Sequence, residues 1–173
     1  MSARLFLALA AFLAMTSFAV AAVPPKVGID SYAQLQTPLP YPYDETLGAK
    51  AVNAQVAKAR LRAKKAGKLL LIDLGGNWCG DCRVMSGTLE RPEVKAFVER
   101  HYELVNVDVG RFDKNLQVPG AYGIHYRLNG VPALLVVDPK TNRLLDKGHE
   151  SALQDARSMT PQALADWLAQ WPR

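Results

Sequence analysis

Apolar and polar positions along the chain fall into segments of different period. Ala49, Val52, Val56, Ala59 and Ala63 recur at steps of three and four, which predicts an amphipathic helix opened by Asp44 as N-cap and closed at Gly67. Leu69 to Leu74 is a short apolar run ahead of Gly75-Gly76, the pattern of a strand buried on both faces. From Asp81 to Arg100 the period is helical again, with a break at Pro92 and a second helical piece over Glu93 to Arg100. Glu103 to Val109 alternates and predicts the next strand. The long connection from Gly110 to Gly130 carries a short helix around Asn115 to Tyr122. Ala133 to Asp138 predicts a third buried strand, and the turn formers from Asp138 to Asn142 lead into a fourth at Arg143 to Lys147, paired as a hairpin. The last helix has Thr160 as N-cap and Pro161 at its first position. Its stripe of Leu164, Trp167, Leu168 and Trp171 reads as core. Helix, strand, helix, strand, helix, strand, strand, helix implies an α/β sandwich around a mixed sheet.

Ahead of these elements lie two stretches of other character. Arg4 gives a positive start, Leu5 to Ala14 an apolar run, and small residues follow through Ala22, which predicts a signal peptide over residues 1–22 cleaved after Ala21 or Ala22. A retained membrane anchor is the rival reading, but Thr16 and Ser17 interrupt the run and Ala-Val-Ala stands at its end. Lipid attachment needs a cysteine beside the cleavage site, and the chain has cysteines only at 79 and 82. Residues 23–43 mix five prolines with Tyr32, Tyr41 and Tyr43 and read as an extended lead-in lying against the domain, which then occupies 44–173.

With 173 residues, 49% hydrophobic and 21% charged, the chain suits one globular domain. The formal net charge of +5 falls by one when Arg4 is removed. Arg60, Arg62, Lys64 and Lys65 occupy the polar side of the first helix and read as a solvated face, so no nucleic-acid partner is expected.

Cys79 and Cys82 form a Cys-x-x-Cys just after the apolar strand, at the start of a helix. There the unpaired N–H groups and the helix dipole favour a negative sulfur, which marks Cys79 as the exposed nucleophile. Cys82, one turn on and more buried, is placed to attack the mixed disulfide that Cys79 forms, so the pair is expected to cycle as a redox-active disulfide. As a staple the pair would be poor: closing so small a ring is worth roughly 2 kcal/mol, against about 3 for a fifteen-residue loop. Zinc would need two further ligands; there is no second cysteine pair, and His101, His125 and His149 are distant in sequence. No metal and no cofactor are expected.

Trp78-Cys79-Gly80-Asp81-Cys82 after a hydrophobic strand, with Gly130-Val131-Pro132 before another, resembles the thioredoxin family. The resemblance covers roughly Lys68 to the C-terminus and implies a thioredoxin-like sandwich, a central mixed sheet of four to five strands flanked by helices. It implies a cis Val131-Pro132 bond facing the cysteines, with the Val131 backbone free to pair with an extended substrate and Trp78, Val131 and Pro132 binding it. An ordinary trans proline is the other reading. Asp73, an acid inside an apolar strand, matches the family's acid that takes the proton of the second cysteine; a structural acid paired locally is the alternative. Leu104 stands where many thioredoxins carry a lysine, and the 110–130 connection, with Arg111, Phe112, Asp113, Tyr122, His125 and Tyr126, is longer than in a minimal thioredoxin.

Gly80 and Asp81 stand between the cysteines and are expected to tune the potential. A carboxylate about 6 Å from the Cys79 sulfur opposes the thiolate by roughly 1 kcal/mol, lowering the potential by about 20 to 30 mV, with Arg83 offsetting part of that charge. Trp78 is expected to restrict access to the dithiol or to belong to the core. The expected function is a thiol-disulfide oxidoreductase of an extracytoplasmic, periplasmic-type compartment: a monomeric reductase or electron carrier. Its partners would be exported proteins with disulfides or thiols and a membrane-linked thiol reductant. The alternatives are a redox-inactive or copper-handling binding module, for which Met85 is the one soft ligand close by, and an oxidase or isomerase.

Overall fold

The computed structural model describes residues 21–171; the predicted signal segment lies outside them up to residue 20. The helix predicted from the alanine and valine stripe is α1 (Ala49–Ala66), closed by Gly67 in the left-handed conformation at φ 68°. Asp44 does not open it. Gly48 is the N-cap, and the Asp44 carboxylate accepts from the Thr46 N–H and hydroxyl in the preceding turn. The apolar run is β1 (Leu69–Gly75), followed by α2 (Gly80–Leu89) and α3 (Pro92–His101), separated where Pro92 starts a new first turn.

Next come β2 (Tyr102–Asp108), a single helical turn α4 (Gln117–Gly120), β3 (Ala133–Asp138), a two-residue β4 (Arg143–Leu144) and α5 (Pro161–Ala169), the last capped by the Thr160 hydroxyl. The fourth strand is shorter than the predicted 143–147. Beyond Leu144 the Leu145 N–H still donates to the Val136 carbonyl at 2.7 Å, but the Val136 N–H turns to the Asp146 carboxylate at 2.9 Å, so a side chain replaces the second bond of that pair. The sheet order is β2-β1-β3-β4, with β1 and β2 parallel and the other pairs antiparallel, a mixed sheet of four strands among the described residues.

Both faces of the sheet are covered. Leu70, Ile72 and Leu74 of β1 pack with Val52, Ala59 and Ala63 of α1, while Leu71 packs with Met85, Val94, Phe97, Leu164 and Leu168 of α2, α3 and α5. A strand buried on both sides has no polar stripe, which is why β1 reads as a continuous apolar run. The lead-in is bound to this body: the Val27 N–H donates to Gln162, Tyr43 is 3% exposed, and Leu39 to Tyr43 runs beneath the start of α2.

Candidate active site

β1 ends at Gly75, whose carbonyl accepts the Val109 N–H, and a tight turn from the Gly76 carbonyl to the Cys79 N–H delivers the chain into α2. Cys79 is the N-cap of that helix, and its sulfur accepts the Cys82 N–H at 3.2 Å, one of the donors a helix start leaves unpaired. The structure holds both cysteines as free thiols. The hydrogen bond from the Cys82 thiol, outweighing burial, holds the Cys79 thiol down at about 7, with help from the Cys82 and Asp81 N–H groups against the Asp81 charge. The same bond and burial push the Cys82 thiol far up. The pair is split into an acidic and a reluctant thiol.

Cys79 is less exposed than predicted. It is 5% accessible, and its thiol donates to the Val131 carbonyl at 3.3 Å, so the Val131 oxygen is engaged in the reduced protein rather than free. The Val131-Pro132 bond is cis. Trp78 is 44% exposed and therefore outside the core; its indole N–H donates to the Gly110 carbonyl, its ring meets Phe112 edge-on, and the Arg111 guanidinium lies over it. The 110–130 connection thus abuts the motif through Trp78. It also lines a cleft of about 430 Å³ that includes Arg111, Phe112, His125 and Tyr126.

Asp81 is partnered differently from expectation. Its carboxylate accepts the Arg157 backbone N–H at 2.9 Å and the Arg157 guanidinium at 3.0 Å. That guanidinium packs where a Gly80 side chain would stand. Arg83 points elsewhere: it donates to the Leu39 and Pro40 carbonyls and lies over the Tyr41 ring, so it does not offset Asp81. Arg157 was invisible in sequence because it lies 76 residues away with no motif around it.

Asp73 is 1% exposed, and burial raises its carboxyl to about 7 despite the hydrogen bonds it accepts. Those bonds come from the Tyr43 hydroxyl, at 3.0 and 2.9 Å to the two oxygens. Tyr43 is held in turn by Asn77, whose side chain pairs with both its N–H and its carbonyl, while Asn106 donates to Pro42. Composition showed only a Pro/Tyr-rich lead-in here; nothing local singled out Tyr43.

A dithiol at the head of a helix, beside a cis-proline loop and above a buried carboxyl on a mixed sheet, defines a thioredoxin-fold redox protein. A family model described as thioredoxin-like matches residues 51–139. The solved structure of a disulphide isomerase from Xylella fastidiosa Temecula1 is 36% identical, with a TM-score of 0.66 over 76% of this chain and 96% of that one. Thioredoxins of Listeria monocytogenes and Listeria innocua are each 28% identical over 82 residues, 47% of this chain and 71% of theirs. The chain belongs to the thioredoxin-like family. Its activity is that of a thiol-disulfide oxidoreductase.

Proposed function

We propose that the protein is a disulfide reductase or electron carrier of an extracytoplasmic compartment, with Cys79 attacking and Cys82 resolving. The observation that carries this reading is the asymmetry of the pair: the Cys79 sulfur caps α2, where hydrogen bonds from the Cys82 thiol and from the Cys82 N–H at 3.2 Å lower its thiol, while Cys82 is fully buried behind it and its thiol is pushed up. The Cys79 thiolate attacks a partner disulfide, forming one S–S bond and breaking another; the released thiolate takes a proton from water. Cys82 then gives its proton to Asp73 and attacks the Cys79 sulfur, closing the Cys79–Cys82 disulfide and expelling the second partner sulfur as a thiolate, which takes a proton from water. Two electrons pass from the protein to the partner. In this reading Trp78, Val131 and Pro132 bind the substrate, the Val131 carbonyl standing 3.3 Å from the Cys79 sulfur, and Gly80 and Asp81 tune the potential.

Export rests on the N-terminal pattern of Arg4, the apolar run and the Ala-Val-Ala site. It puts the substrates among exported proteins with disulfides or thiols and requires a membrane-linked thiol reductant to return the electrons. The protein would act as a monomer. A copper-handling role draws little support, because Met85 is 1% exposed inside the core rather than beside the dithiol.

An isomerase is the second reading, favoured by the 36% identity to the Xylella fastidiosa disulphide isomerase. The reduction potential of the purified protein, equilibrated in glutathione or dithiothreitol buffers, separates the two. A value of about −270 mV is expected for a reductase, and one of about −180 mV would replace it with the isomerase. A dithiol that fails to cycle in any buffer would refute both.

A further inference from the structure

Asp73 and Cys82 do not act across an empty space. A side chain on Gly75 would run into both the Tyr43 hydroxyl and the Cys82 sulfur, so these two atoms share the volume over that glycine. The same hydroxyl donates to both Asp73 oxygens. Tyr43, Asp73 and Cys82 are 3%, 1% and 0% exposed. Asn77 fixes the Tyr43 backbone through two hydrogen bonds, while Arg83 of α2 holds the Leu39 and Pro40 carbonyls and Asn106 of β2 holds that of Pro42. The hydroxyl is therefore held at one point, between the acid and the second cysteine. It belongs to the lead-in, outside the 51–139 stretch that the family model matches.

We propose that Tyr43 is a proton-relay residue: as Cys82 resolves the mixed disulfide, its thiol proton passes to the Tyr43 oxygen while the Tyr43 proton passes to Asp73. The phenol ends as neutral as it began, Asp73 ends protonated, and the Cys82 thiolate is left to form the S–S bond to Cys79. Burial above all, with the Asp73 charge and Cys82 beside it, keeps the phenol well above its ordinary range, so a shuttle that never leaves a phenolate suits it. The proposal rests on the Asp73 role given under Proposed function. It adds that the acid acts through the lead-in and not on Cys82 directly.

The test mixes reduced protein with glutathione disulfide and follows formation and decay of the Cys79–glutathione mixed disulfide by acid quenching and mass spectrometry. In Tyr43→Phe, formation should stay within about twofold of wild type and decay should slow about tenfold or more, as in Asp73→Asn. The double variant should decay no more slowly than the slower single one, because both substitutions cut one path. If only Asp73→Asn slows decay, or if the two effects multiply, the relay is wrong and the Asp73 role stands. If neither slows decay, the Asp73 role falls with it. Should Tyr43→Phe fail to fold, the proton inventory of wild-type decay in mixtures of light and heavy water decides: a curved plot, from two protons moving together, is expected, and a linear one, from a single proton passed directly to Asp73, overturns the relay.

Discussion

Replacing Asp73 with asparagine should change how stability depends on pH, and the structure fixes the sign. Asp73 titrates near 7 in the folded protein because burial disfavours its charge, against 3.8 for the ordinary carboxyl that the unfolded chain displays. With the folded value raised, the native state binds the proton more tightly than the unfolded one. The stabilisation from that proton is complete below pH 4 and is lost as pH rises through 7. The rise from 3.8 to about 7 sets an upper limit of about 4 kcal/mol on the cost of holding Asp73 ionised at pH 8. Asparagine is neutral throughout, and its carbonyl still accepts from the Tyr43 hydroxyl. Asp146 is also buried and raised to about 7, so wild-type stability alone mixes two acids; the difference between the two proteins isolates Asp73. Urea unfolding of the disulfide form, followed by tryptophan fluorescence from pH 4.5 to 8.5, should show Asp73→Asn gaining on wild type by about 2 to 4 kcal/mol as pH rises. A flat difference, or a variant that loses ground toward pH 8, would refute the account of the buried acid.

Two further predictions concern the dithiol. Asp81→Asn should raise the reduction potential by about 20 mV, and Arg157→Ala should lower it by about 10 mV, since the two charges act in opposite senses on the Cys79 thiolate and Arg157 is well exposed; equal shifts of one sign in glutathione buffers would contradict the pairing. Gly75→Ala should destabilise the fold by about 1 to 3 kcal/mol in denaturant titration, because the new methyl meets the Tyr43 hydroxyl and the Cys82 sulfur; wild-type stability there would mean that the space over Gly75 is not shared as described.

Local pattern carried much of this protein into view. The apolar run of β1, the Cys-x-x-Cys at the strand-to-helix turn, Pro92 at the start of α3 and the Thr160-Pro161 start of α5 are each written in neighbouring residues, because periodicity and capping are short-range physics. Asp73 stood out for the same reason: an ionisable group in an apolar strand is a local contradiction. What surrounds those residues came from segments far off along the chain. Tyr43 meets Asp73 from 30 residues away and Arg157 meets Asp81 from 76, and hydrogen bonds and ion pairs at such separations impose no period on either segment. Asp146 ends β4 by supplying a carboxylate where a strand would supply a carbonyl, which no alternation of side chains foretells. Neighbouring residues alone thus placed the reactive sulfurs at a helix start and marked the first of them as the acidic one. Which groups the buried acid and the second cysteine face was settled by the packing of the lead-in beneath α2, because that depends on how distant segments fill one volume.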